Sequence, residues 1–149
     1  VPYGKIVDAD ENCPTLTYNT IGRHQSSIVR TRVCTNKSPW LAETQVGDVY
    51  TVPISHGEGR FIAPEALIRS LAENGQIATQ YVDLAGQPTM DTAFNPNGSL
   101  YAVEGITSPD GRVLGKMGHS ERIGSALYRN VPGQYDMGLF RSAVKYFSK

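Results

Sequence analysis

The sequence predicts one mixed domain of strands and helices, α/β or α+β, and three observations carry that prediction. Runs rich in β-branched residues recur at Ser26–Cys34, Val49–Ser55 and Ile77–Val82. Pro64–Glu73 has helical spacing with start and stop signals at its ends. The tail, Tyr135–Phe147, sets Leu139, Phe140, Ala143, Val144 and Phe147 at helical spacing. A length of 149 residues, 40% of them hydrophobic, suits one domain with a real core, since domains cluster at roughly 100–150 residues.

Residues 1–25 are polar and weakly periodic, and read as a loop-like lead-in that can hold one short element. The chain begins Val1-Pro2-Tyr3-Gly4 without an initiator Met, which predicts a processed product or a piece of something longer. In Ser26–Cys34, Val29, Thr31 and Val33 share one face while Arg30 and Arg32 share the other. The arginine face reads as wet, which places this strand away from the sheet centre. Pro53 withholds a ladder donor, so Val49–Ser55 belongs near a strand end or a sheet edge.

Pro64 suits the first helical position, Glu65 favours the positive end of the helix dipole, and Gly75 can close the helix. Leu67, Ile68 and Leu71 make its apolar stripe. Asn95-Pro96-Asn97-Gly98-Ser99 is turn chemistry throughout. Gly105–Thr107 and Arg112–Gly115 flank the turn Ser108-Pro109-Asp110-Gly111, which predicts a β-hairpin.

Charge and cysteine content narrow the function. Lys+Arg and Asp+Glu each number 14, so the formal net charge is zero, and nothing favours nucleic acid or an anionic membrane as partner. No apolar run approaches the roughly 20 residues of a membrane helix, and the first residues given show no charged-then-apolar pattern. With only Cys13 and Cys34, reduced thiols in a cytoplasm are the simpler expectation.

Two of the three histidines stand in His-x-acid patterns, His56-Gly57-Glu58 and His119-Ser120-Glu121. On an extended segment, residues i and i+2 point to one side. Glu121 can then accept a hydrogen bond from one ring nitrogen of His119, fixing its tautomer and freeing the other nitrogen for proton transfer. That makes a base and its orienter, two parts of a nucleophilic triad. A lone His-x-Glu is also common on ordinary surfaces, His56 can simply cap a backbone group, and His24 reads as a solvated loop residue. A second reading takes His56, Glu58, His119 and Glu121 as a His/carboxylate metal site, although no helix-turn ligand motif supports it.

The third triad member is not apparent. Cys13 sits in Asn12-Cys13-Pro14 and Cys34 in Val33-Cys34-Thr35, neither with the flanking glycines of a nucleophile elbow. Cys34 reads as a small apolar filler.

Three motifs together resemble a known family. Val52-Pro53-Ile54-Ser55-His56-Gly57-Glu58-Gly59-Arg60-Phe61 resembles a segment of the glutaminase domain of phosphoribosylformylglycinamidine synthase. So does Phe94-Asn95-Pro96-Asn97-Gly98-Ser99 followed by Val103-Glu104-Gly105-Ile106-Thr107. Gly111–Arg122 is similar to that family's catalytic His-Pro-Glu-Arg segment, which commonly carries Pro where this chain has Gly118 and Ser120.

The likeness runs from about Ser26 to Phe147. It implies a class I glutamine amidotransferase with a Cys-His-Glu triad on a three-layer, flavodoxin-like α/β sandwich. All of residues 1–149 would then be the C-terminal portion of that domain, incomplete and lacking the cysteine elbow. The implied parent is an ATP-dependent ligase of purine biosynthesis with glutamine as its amido-nitrogen donor. It passes ammonia from glutamine to formylglycinamide ribonucleotide. His119 would be general acid and base and Glu121 its orienter, with Ser55, His56 and Gly57 beside the glutamine pocket.

No cofactor is implied for this chain, since ATP and Mg²⁺ would belong to the synthetase part. Its partners would be glutamine and the synthetase domains, with self-association through an uncovered sheet. By itself the chain would be inactive. A non-catalytic binding or assembly module with the same fold is the competing expectation.

Overall fold

The structure, a computed structural model, describes residues 12–148. The first part of the lead-in, residues 1–11, lies outside them. Seven strands and two α-helices follow in order: β1 (Thr15–Tyr18), β2 (Gln25–Val33), β3 (Val49–His56), β4 (Glu58–Ile62), α1 (Glu65–Glu73), β5 (Ile77–Tyr81), β6 (Val103–Thr107), β7 (Leu114–Lys116) and α2 (Leu139–Phe147). Five strands form one antiparallel sheet in the order β3-β2-β5-β6-β7, and β1 pairs with β4 in a separate ribbon.

The sheet has a helix against each face. On β5, Ile77 packs with Ile68 and Leu71 of α1, while its neighbour Ala78 packs with Leu139 at the start of α2. Consecutive strand residues point to opposite faces. The same division falls between Val33, beside Leu139, and Cys34, beside α1. Helix, sheet and helix therefore make the three layers expected.

The strand expectations hold closely, with informative exceptions. β2 is neither central nor an edge, because β3 and β5 flank it. Its arginine face is covered by a loop: Arg30 donates to the Leu84 carbonyl at 3.0 Å and Arg32 to that of Gly86 at 3.4 Å. Pro53 lies on the edge strand β3, as its missing donor requires. Pro64 caps α1 from just outside, with extended ψ, instead of occupying its first turn. The hairpin forms as expected, with Thr107 opposite Leu114.

The tail helix differs. Leu139, Ser142 and Ala143 are its buried residues, whereas Phe140, Val144 and Phe147 are exposed. The helix docks on the 3-10 turn Pro39–Leu41, and the Ser142 hydroxyl accepts from the Glu43 N–H at 3.2 Å. A polar contact thus turns the buried face away from the apolar stripe.

Loops line the free side of β3. Thr51 N–H donates to the Gln134 carbonyl at 2.7 Å and His119 N–H to the Pro53 carbonyl at 2.8 Å. The first loop approaches so closely that a Cβ at Gly133 would run into Thr51. The second brings His119 alongside the end of β3.

Candidate active site

His119 follows β7 in a turn, where Arg122 N–H donates to the His119 carbonyl at 3.1 Å. His119 Nδ1 and Glu121 Oε1 are 2.8 Å apart. The expected contact is therefore present, but a turn rather than an extended segment brings the side chains together. A carboxylate only accepts, so Nδ1 carries the proton in this bond. The other ring nitrogen, Nε2, is buried and has no protein partner.

The Glu121 carboxyl is held below its ordinary range by its own backbone N–H, against desolvation, with His119 and Arg122 adding to the lowering. It stays ionised at neutral pH and can stabilise an imidazolium on His119. The pair borders a cleft of about 410 Å³ whose walls include Trp40, Lys116, Gly118, Leu139 and Phe140.

The Ser55-His56-Gly57 turn, where β3 passes into β4, is brought up to the same place. The His56 and His119 rings stack with centroids 5.6 Å apart and planes 27° apart. Burial, and then the neighbouring His119, push the His56 imidazole below its ordinary value, so His56 is neutral at pH 7. Its Nε2 is buried without a protein partner. Ser55 instead bonds His24, whose Nε2 lies 3.1 Å from the Ser55 hydroxyl. His24, read as a solvated loop residue, thus belongs to this neighbourhood. The Gly57 carbonyl accepts from Asn19 N–H at 3.0 Å. None of Ser55, His56 and Gly57 lines the cleft beside His119.

Among the described residues, no group of three or more His, Cys, Asp or Glu side chains is assembled to hold a metal ion. His56 and His119 meet by ring stacking, not by converging nitrogens with Glu58, so the metal reading has no site here. Both cysteines are unbridged. Cys34 packs beside the cluster that holds Phe61 and Ile68, and burial pushes its thiol up to about 11. With so little thiolate, folded Cys34 is expected to alkylate about 100-fold more slowly at pH 8 than in the unfolded chain. Iodoacetamide labelling followed by mass spectrometry, with and without urea, measures this; equal rates would refute it.

Glu104 and Lys116 had no assigned role from sequence, yet they stand directly behind the His119 loop. The Glu104 side chain is fully buried and lies 3.1 Å from Lys116 Nζ. It accepts from Gly118 N–H at 2.6 Å and from the Thr79 hydroxyl. Burial opposes its ionisation, but Lys116 and these hydrogen bonds hold its carboxyl below the ordinary range.

The same contacts explain Gly118. A Cβ there would lie 2.6 Å from a Val52 methyl and 2.9 Å from Glu104 Oε1. Proline would also withhold the N–H that Glu104 receives. A charged residue inside Ala102–Ile106, with lysine on the facing hairpin strand, was the sequence sign of this pair.

A His/carboxylate pair beside a stacked histidine on a three-layer fold fits the chain's ancestry. The chain belongs to the CobB/CobQ-like glutamine amidotransferase domain family, which it matches over residues 1–147. Among relatives, it is 41% identical over 105 residues to "Phosphoribosylformylglycinamidine synthase subunit PurQ" of Synechocystis sp., covering 70% of this chain and 46% of the relative. It is 36% identical over 134 residues to the protein of that name from Methanosarcina mazei, covering 90% of this chain and 56% of the relative. It therefore spans about half the length of the curated relatives it matches.

A chain of the solved structure of PurLQS from Thermotoga maritima shares the fold. The TM-score is 0.66 at 24% identity, over 91% of this chain and 53% of that one.

Proposed function

We propose that this chain is the histidine- and glutamate-bearing part of a glutaminase that supplies ammonia to phosphoribosylformylglycinamidine synthase. The synthase is an ATP-dependent ligase that amidates formylglycinamide ribonucleotide in cytoplasmic purine biosynthesis. One observation carries the reading: His119 is fixed by Glu121 through Nδ1, while its Nε2 is free of protein partners.

In the reaction, a cysteine thiolate attacks the glutamine side-chain amide carbon and the carbonyl oxygen takes up the electron pair. As the C–N bond breaks, Nε2 of the imidazolium gives its proton to the departing nitrogen, and ammonia leaves a γ-glutamyl thioester. The neutral His119 then takes a proton from water, which attacks the thioester. Glutamate leaves, the sulfur departs as thiolate, and the thiolate–imidazolium pair is regenerated. Glu121 stabilises the imidazolium at each stage. Neutral His56 stacks on that ring.

The attacking cysteine is neither Cys13 nor Cys34 in this reading, since neither has an elbow, and it comes from elsewhere in the longer protein. ATP and Mg²⁺ serve the synthetase part in this scheme.

The test is ammonia release from glutamine. The 149-residue chain alone is expected to give background rates. The chain joined to a relative's Gly-x-Cys-x-Gly segment is expected to turn over glutamine, and to lose that activity on His119→Ala. Robust turnover by the isolated chain, or activity of the joined protein that survives His119→Ala, would count against it.

A further inference from the structure

We infer that Glu104 and Lys116 are positioning residues that set the His119–Glu121 pair by clamping the loop from 118 to 120. The proposal rests on the catalytic reading of His119, and it concerns residues that touch neither the cleft's candidate acid nor its base directly.

The loop is held at each successive residue. Gly118 N–H donates to Glu104 at 2.6 Å, and the Gly118 carbonyl accepts from Lys116 Nζ at 3.1 Å. The Ser120 hydroxyl also accepts from Lys116 Nζ, at 3.1 Å. Between them, His119 N–H is held by the Pro53 carbonyl. Lys116 therefore serves three oxygens at once, from Glu104, Gly118 and Ser120.

Among the described residues, the pair has no other partner that would require a charge there. Thr79 anchors the carboxylate to β5, and among the described residues no further ion pair involves either residue. A buried charge pair contributes little net stability over apolar residues of equal volume. Its value here is geometric, because a fixed backbone from 118 to 120 aims the imidazole at Glu121.

The tautomer of His119 reads that geometry. With Nδ1 donating to Glu121, neutral His119 is held as the Nδ1–H form. Long-range ¹H–¹⁵N spectra of the chain at mildly alkaline pH report this directly, with His119→Gln supplying the assignment.

Two variants test the clamp. Lys116→Met removes the lysine but leaves Glu104 buried with its charge. Glu104→Gln combined with Lys116→Met removes both charges, while the amide oxygen can still accept from Gly118 and the amide NH₂, in place of the second oxygen, donates to the Thr79 hydroxyl. In the double variant, the amide spectrum outside the loop is expected to persist and His119 to lose its Nδ1–H preference. Lys116→Arg, which keeps a cationic donor, is expected to retain it. A role in stability alone would lower the denaturation midpoint and leave the tautomer unchanged.

Retention of the Nδ1–H form in folded Lys116→Met or in the double variant would overturn the proposal. So would failure of both to fold, which would make the pair a requirement of the fold instead of the loop. Because the spectra need no glutamine, they separate the two readings. A tautomer change without glutaminase activity in the joined protein would refute the catalytic reading alone, and activity with an unmoved tautomer would refute the clamp alone.

Discussion

His119→Gln in the joined glutaminase lowers glutamine-dependent turnover by roughly 100- to 10,000-fold, the usual contribution of a positioned acid–base group. Glutamine keeps the polarity of imidazole but cannot move a proton near neutrality. Both the departure of ammonia and the hydrolysis of the thioester then lack their donor and acceptor. Glu121→Gln is expected to cost a comparable factor by a different route. The neutral amide can turn either its donor or its acceptor toward Nδ1, and it no longer stabilises the imidazolium.

Synthesis driven by added ammonium salts bypasses both losses, because the synthetase chemistry does not use this site in the proposed scheme. The measurement is therefore paired: glutamine-driven and ammonia-driven rates for each variant. Equal losses in both would show that the substitutions act on folding or on assembly instead of on glutamine.

Lys116→Met is expected to destabilise the chain by about 3–5 kcal/mol, the cost of stranding a buried charge. Glu104 is fully buried, and Lys116 is the only cation paired with it among the described residues. Methionine fills similar space but donates nothing to Glu104, Gly118 or Ser120. Adding Glu104→Gln should recover most of the loss, since the amide oxygen can still accept from Gly118 while its NH₂ donates to the Thr79 hydroxyl. Urea unfolding of the two single variants and the double variant gives the coupling directly. Additive losses would mean that the two side chains do not depend on each other.

The parts legible in the sequence were those whose meaning is local. β2, β3 and β5 followed from alternation and β-branched content, the hairpin from its turn, and α1 from its cap residues and apolar stripe. His119 and Glu121 were legible because they are two residues apart, even though a turn brings them together. The pairing of β1 with β4 was not, because Thr15–Tyr18 is short and its partner lies some 40 residues on. The α2 stripe misled, because docking through Ser142 depends on Glu43. Glu104 was quoted within a motif but not understood, since its significance comes from Thr79 on one strand and from Lys116 and Gly118 on another segment. Polar residues buried by distant partners have no period to betray them.

The loop that carries His119 is also a border of the sheet. Beside the ring-locked Pro53, which has no N–H to offer, it occupies the Pro53 carbonyl, while the loop at Gln134 occupies the N–H of Thr51. The β3 edge is thereby denied to a neighbouring molecule, which would otherwise find a free strand to extend. A lesion that frees the His119 loop should therefore do more than misplace a base. It should expose Val49–His56 to pairing between molecules, so that failure of the site and clumping of the protein arise together from one opened seam.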